Sequence, residues 1–227
     1  IKGTEQGSAR VSLRLTAISF KESWRDENGH WYSDGGFPRQ MDAITSLFDQ
    51  SDLLIVEIPR KKDRKGELPL PPVNIVPLRP PTGVDLRRKI SVVWHLPYYL
   101  KEIARFVRAC DVVHVPLPGD IPLLALLVAW AMGKPVIARY GGSWAATAET
   151  TFMNRVTRSC LRMMARGRHV ILATGDGAEL PAKGMAWIFS SAVSKAEVHS
   201  IRPVLNRGIA ASPRLAFIGR LATEKGL

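Results

Sequence analysis

The sequence predicts an α/β chain built on a doubly wound parallel sheet. Three observations predict it. Apolar runs of strand length alternate with longer stretches of helical period along the 227 residues. The run at 52–58 is almost continuously apolar, as in a strand covered on both faces. Strand-length runs lead into loops rich in glycine or proline at 35–36, 116–120 and 140–144, where such sheets bind ligands.

The elements follow in order. Over 11–20, Val11, Leu13, Leu15 and Ala17 alternate with Ser12, Arg14 and Thr16, the period of a strand. Asn28-Gly29 then marks a tight hairpin turn in which both residues take positive φ. Gly35-Gly36 precedes a helical stripe of Met41, Ile44, Leu47 and Phe48. After the strand at 52–58, residues 59–72 read as a loop rich in proline and lysine, and 73–78 as a short strand. Helices are expected over 85–93 and 97–109, divided near Pro97. A strand at 111–115 ends in the 116–120 loop. The apolar stretch 121–132 reads as a buried helix with Asp120 as its N-cap and Gly133 just past its end. The strand at 134–138 ends in Tyr140-Gly141-Gly142.

Next comes a basic helix. Arg155, Arg158, Arg162 and Arg166 are spaced 3, 4 and 4 apart, on one face, with Val156, Cys160, Met163 and Met164 toward another. Such a helix either lies on anionic lipid or presents a solvated outer face. Strands at 169–173 and 186–189 complete the sheet. The expected layout is a first domain over 1–193, a linker over 194–212, and the start of a second domain over 213–227, opening with a strand at 214–218.

Composition narrows the function classes. There are 32 Lys and Arg against 20 Asp and Glu, a net charge of +12, with 46% hydrophobic residues. That is a globular composition. Cys110 and Cys160, the two cysteines, cannot build a disulfide framework or a four-thiolate zinc site. No cofactor and no metal ligand is assigned. The longest apolar run falls short of the roughly 20 residues of a spanning helix. The opening residues contain neither an apolar signal region nor an initiator Met, and the default location is cytoplasmic, with a peripheral position on the inner membrane face as an option. The basic balance points to phosphorylated small molecules or an anionic membrane surface. Nucleic acid fits less well, because aromatics are 7% and no basic-aromatic recognition motif is present.

Two constellations carry chemistry. Gly35-Gly36 before a helix lets backbone approach a phosphate at the positive end of the helix dipole, although a plain tight turn reads the same way. It is neither the G-x-G-x-x-G dinucleotide fingerprint nor a P-loop, which argues against a nicotinamide-dependent enzyme. Arg220 and Lys225 lie five residues apart across a strand-to-helix turn and can meet one diphosphate, or simply be solvated cations. His114 is either a satisfied strand histidine or a cleft residue. Tyr140 and Trp144 either stack on a sugar or pack internally. Asp120 either caps its helix or accepts a hydrogen bond from an acceptor hydroxyl.

The 217–227 stretch, Phe-Ile-Gly-Arg-Leu-Ala-Thr-Glu-Lys-Gly-Leu, resembles the opening of the nucleotide-sugar-binding domain of family-four (group 1) glycosyltransferases. These are of the GT-B type, with two facing Rossmann-like domains. The preceding chain is similar in layout to the N-terminal domain, with its Gly-Gly loop, its Asp-Val-Val-His strand at 111–114 and its Lys-Pro-Val-Ile strand at 134–137. The resemblance implies transfer of a sugar from a nucleotide diphosphate sugar to a carbohydrate or lipid-linked acceptor, with retention and without a required metal. It implies that Arg220 and Lys225 hold the donor diphosphate, with Gly35 and Gly36 approaching it across the cleft. It also places His114, Tyr140, Gly141, Gly142 and Trp144 as candidate acceptor or sugar contacts. Two departures stand out. The family's Glu-x7-Glu element has no counterpart in these residues, and the loop after the 134–138 strand lacks the histidine common in the family. No catalytic residue is assigned. The alternative is a peripheral membrane or polyanion-binding module without catalysis of its own, with Arg155, Arg158, Arg162 and Arg166 as its contact.

Overall fold

A computed structural model describes residues 12–60, 66–83, 85–142, 144, 150–165, 167–175, 179–188, 196, 197, 199 and 200. The chain divides into two compact units, Ile1–Ala192 and Val193–Leu227. In the second unit the described residues, Ala196, Glu197, His199 and Ser200, are helical. All elements below belong to the first.

The elements run β1 (Arg14–Arg25), β2 (Trp31–Asp34), α1 (Phe37–Thr45), β3 (Gln50–Glu57), β4 (Glu67–Pro69), β5 (Asn74–Leu78), α2 (Asp85–Trp94), α3 (Leu96–Ala109), β6 (Val112–Leu117), α4 (Asp120–Ala131), β7 (Val136–Tyr140), α5 (Phe152–Met164), β8 (Val170–Thr174) and β9 (Met185–Ile188). Parallel pairing gives the order β5-β3-β1-β6-β7-β8-β9. This is the doubly wound order, in which strands are added outward on one side of β1 and then on the other. The two sides have separate cores. Ala17, Leu53 and Ile55 pack against Phe37 and Met41 of α1 on one face. Ile18, Leu54, Val113, Val115 and Ala138 pack with Ile103, Leu126 and Leu161 of α3, α4 and α5 on the other.

The sheet is mixed rather than wholly parallel. β1 continues past a bulge between Ile18 and Glu22 and pairs antiparallel with β2, which pairs antiparallel with β4. β4 is a correction to the loop expected over 59–72. The Glu67 carboxylate holds it, accepting from the Trp24 indole N–H of a distant segment at 3.0 Å and from nearby Arg60 at 2.6 Å. In the β1–β2 turn Gly29 takes φ 83°, and Asp26 Oδ1 accepts from the backbone N–H groups of Asn28 and His30 at 3.0 and 2.8 Å. The turn is thus held by a side chain as well as by glycine conformation.

The helix before β3 starts at Phe37, four residues before the apolar stripe, since Pro38 suits a first helical turn. At α4, Gly119 occupies the N-cap and Asp120 lies in the first turn, which corrects the expected Asp120 cap. An acidic residue there still favours the helix dipole.

Carboxylates staple the amino ends of the strands. Asp52 is 1% exposed. Its Oδ2 accepts from Arg14 Nε at 2.9 Å and pairs with Nη2 at 2.8 Å, and its Oδ1 accepts from Asn74 Nδ2 at 2.6 Å. One side chain therefore ties β1, β3 and β5. Asp111 and Asp49 accept from the backbone N–H groups of Arg14 and Leu13, at 2.8 and 2.9 Å.

Candidate functional site

The doubly wound order reverses between β1 and β6, so a crevice is expected beyond their carboxyl ends. The ladders show how it opens. β6 pairs with Leu15 to Ala17 of β1, and β2 pairs with Ser23 to Arg25. Ser23 pairs with both β2 and β3, so β2 follows β6 along the same edge of β1. Residues 18–22 have no strand partner on that edge among the described residues. Here the Phe20 ring lies over Gly119, where a Cβ would come within 2.3 Å of Phe20 Cδ1. A side chain at 119 would displace the Phe20 ring, which is 39% exposed.

Beside this gap is a cavity of about 500 Å³ lined by Phe20, Lys21, Glu22, Asp34, Val56 and Pro80, among others. Lys21 and Asp34 form an ion pair at its wall. Gly35 and Gly36 follow Asp34 directly. Gly35 has φ 67° and nothing within 4 Å of the position its Cβ would take. Gly36 is the N-cap of α1, and no side chain caps that helix. An anion entering here meets an open backbone approach and a positive dipole end.

The loop after β7 is organised from within. Gly141 N–H donates to Leu117 O at 2.7 Å, joining the ends of β6 and β7. Tyr140 is buried beneath Gly142, whose Cβ would lie 2.9 Å from the phenol oxygen. Burial pushes the Tyr140 phenol above its ordinary value. Trp144 packs on Tyr140 with ring centroids 4.9 Å apart, and the Arg162 guanidinium lies 5.8 Å over the Trp144 ring. The Trp144 indole nitrogen is buried without a hydrogen-bond partner among the described residues.

Arg158 turns inward, apart from the other basic residues of α5. It is buried, and its Nη1 donates to Trp144 O at 2.9 Å. This corrects its placement in an outward arginine stripe: the loop carbonyl, not helical spacing, decides its direction. Replacing Arg158 with alanine is expected to cost about 1–3 kcal/mol by leaving that carbonyl unpaired. Urea denaturation measures this, and tryptophan emission should shift with it. An unchanged midpoint and spectrum would show that the contact holds nothing.

His114 lies within the sheet, opposite Ala17 and Ile137, and is 3% exposed. Its Nδ1 is 2.9 Å from Ile137 O. A carbonyl only accepts, so Nδ1 carries the proton. Burial, aided by nearby Arg139, pushes the imidazole down to about 4 despite that hydrogen bond. Gly35 and Gly36 thus follow directly on Asp34, which lines the cavity, while Tyr140, Gly141, Gly142 and Trp144 form one packed loop and His114 lies within the sheet. Arg155 and Arg162 are exposed on α5. Arg166, Arg220 and Lys225 lie outside the described residues, as do residues 194, 195, 198 and 201–212 of the expected linker and the expected 214–218 strand. Phe20, Lys21 and Asp34 had no sequence signal, since the strand pairing alone brings them together. Among the described residues, no cluster of three His, Cys, Asp or Glu is arranged to hold a metal.

No protein-family model matches the chain, and no curated protein sequence matches it. Among solved structures it overlaps MurG of Acinetobacter baumannii at 14% identity and a TM-score of 0.44, over 78% of this chain and 46% of that one. It also overlaps a candidate ribokinase II of E. coli, in its apo form, at 11% identity and a TM-score of 0.37, over 75% of this chain and 67% of that one. The chain thus spans about half the length of the MurG chain. The MurG overlap is a weak, partial match to a GT-B glycosyltransferase. Neither overlap assigns a family or an activity.

Proposed function

We propose that the chain is the acceptor-side part of a two-domain glycosyltransferase. The complete enzyme transfers a sugar from a nucleotide diphosphate sugar to a carbohydrate or lipid-linked acceptor, with retention at the anomeric carbon and without a required metal, and this part alone is inactive. The observation that carries the reading is the cavity beside the sheet's reversal point, whose wall residue Asp34 leads directly into Gly35 and the start of α1, a helix without a side-chain cap. The Gly219-Arg220 to Lys225-Gly226 motif supports it from the sequence.

In this reading Gly35 and Gly36 admit the donor diphosphate to backbone N–H groups, and Arg220 and Lys225 neutralise it. The leaving diphosphate gains charge as the glycosidic bond breaks, and fixed cations and dipoles stabilise that charge. Arg220→Ala and Lys225→Ala are each expected to weaken donor use by about 1.5–3 kcal/mol, the scale of a hydrogen bond to a charged group. Initial rates with a panel of nucleotide sugars, measured on the full product of the coding region, check this. Wild-type kcat/KM in both variants would falsify the diphosphate assignment. Reading that region past residue 227 tests the layout: one further domain bearing a Glu-x7-Glu element supports it, and an immediate stop sinks it.

A further inference from the structure

Residues 121–131 carry no charged or hydrogen-bonding side chain except the Trp130 indole. A helix apolar all round belongs inside a protein or in contact with lipid. α4 is only partly enclosed. Ile121, Ala125, Leu126 and Ala129 face the core, while Leu127 and Trp130 reach solvent. Beside it, α2 turns an apolar stripe outward: Ile90, Val93 and Trp94 are 60%, 68% and 82% exposed. α5 opens with Phe152, 76% exposed, and Met153. Between these helices runs a groove of about 450 Å³ lined chiefly by Val92, Val93, Leu96, Leu124, Leu127 and Phe152.

Asp120 is the acidic residue that lines the groove, and the exposed charges on the helices that flank it are basic. Arg87 is exposed and lies three and seven residues before Ile90 and Trp94, on the same side of α2. Arg155 and Arg162 lie three and ten residues after Phe152, on the exposed side of α5. α5 contains no acidic residue. A second copy would bring like charges together, whereas an anionic surface complements them.

We propose that this face, formed by α2, α4 and the start of α5, seats on an anionic lipid bilayer. Val93, Trp94 and Phe152 enter the interface, and Arg87, Arg155 and Arg162 meet lipid phosphates. Aromatic and aliphatic side chains below a basic rim are the composition of an in-plane membrane contact. No helix among the described residues is long and apolar enough to cross a membrane, so the contact is with one leaflet. The inference stands apart from the nucleotide-sugar reading, since it involves neither donor nor crevice.

The test is co-sedimentation of the chain with phosphatidylglycerol–phosphatidylcholine vesicles and with pure phosphatidylcholine vesicles. Binding is expected on the anionic vesicles, with quenching of tryptophan emission by brominated acyl chains that Trp94→Phe reduces. The double change Trp94→Glu and Phe152→Glu should lower partitioning about ten-fold or more, and Arg87→Gln about five-fold. Both aromatic sites are exposed, so the thermal midpoint should not move, and circular dichroism checks it. Four results would overturn the proposal: no binding to anionic vesicles at low salt; equal binding to neutral ones; equal binding by the double variant; or binding without acyl-chain quenching. A dimer in sedimentation velocity that the double variant dissolves would assign the face to a second copy instead.

Discussion

Replacing Arg14 with alanine is expected to cost about 3–5 kcal/mol of stability, more than replacing its partner Asp52. The asymmetry follows from burial. The Asp52 side chain is 2% exposed, against 37% for Arg14. Without Arg14, the carboxylate keeps Asn74 as its one side-chain partner among the described residues, at the wall of a cavity that Arg14, Asp52 and Asn74 line together. Without Asp52, the guanidinium can turn outward, and the loss should fall to about 2–3 kcal/mol, the scale of a hydrogen bond to a charged group. Urea denaturation of Arg14→Ala, Asp52→Ala and Asn74→Ala decides it. Equal losses for the two ion-pair variants would show that the carboxylate is less isolated than its burial implies.

Acid is expected to weaken the fold through His114. Its imidazole ionises near 4 when folded, against an ordinary 6.5. Between those values the unfolded chain binds the proton and the folded chain does not, so stability falls as pH drops. The contribution is fully present above pH 6.5 and is lost by about pH 4. A shift of this size corresponds to about 3 kcal/mol. His169 is shifted the same way, by burial and by Arg168. Carboxylates also titrate in this range, so the difference between wild type and His114→Gln isolates the effect. The variant's stability should fall less over pH 7 to 4. Parallel pH curves would mean that His114 reaches solvent before the protein unfolds.

The parallel sheet was legible because its strands must be apolar on both faces. Residues 52–58 and 111–115 announce that burial without any partner being known. The β2–β4 arm was not legible. A strand of three residues has little propensity of its own, and the Trp24–Glu67 hydrogen bond that holds it joins residues 43 apart. Gly35 was legible from composition, but the meeting of Phe20 with Gly119 depends on where two ladders stop. Helical spacing placed Arg158 with Arg155 and Arg162. It could not show that a backbone carbonyl from the preceding loop would draw Arg158 inward. The outward apolar stripe of α2 was missed for a related reason. Periodicity finds the apolar face of a helix but not which way that face turns.

The bulge in β1 has a kinetic consequence. One continuous strand passes through two different environments. At Leu15 to Ala17 it is flanked by parallel partners on both edges, whereas Trp24 and Arg25 belong to a small antiparallel arm. Amide exchange should therefore be graded along a single strand. The amides of the first segment should open only with global unfolding, and those beyond the bulge through local separation of the arm. The wall of the crevice can then loosen and re-form many times within the lifetime of the sheet that supports it.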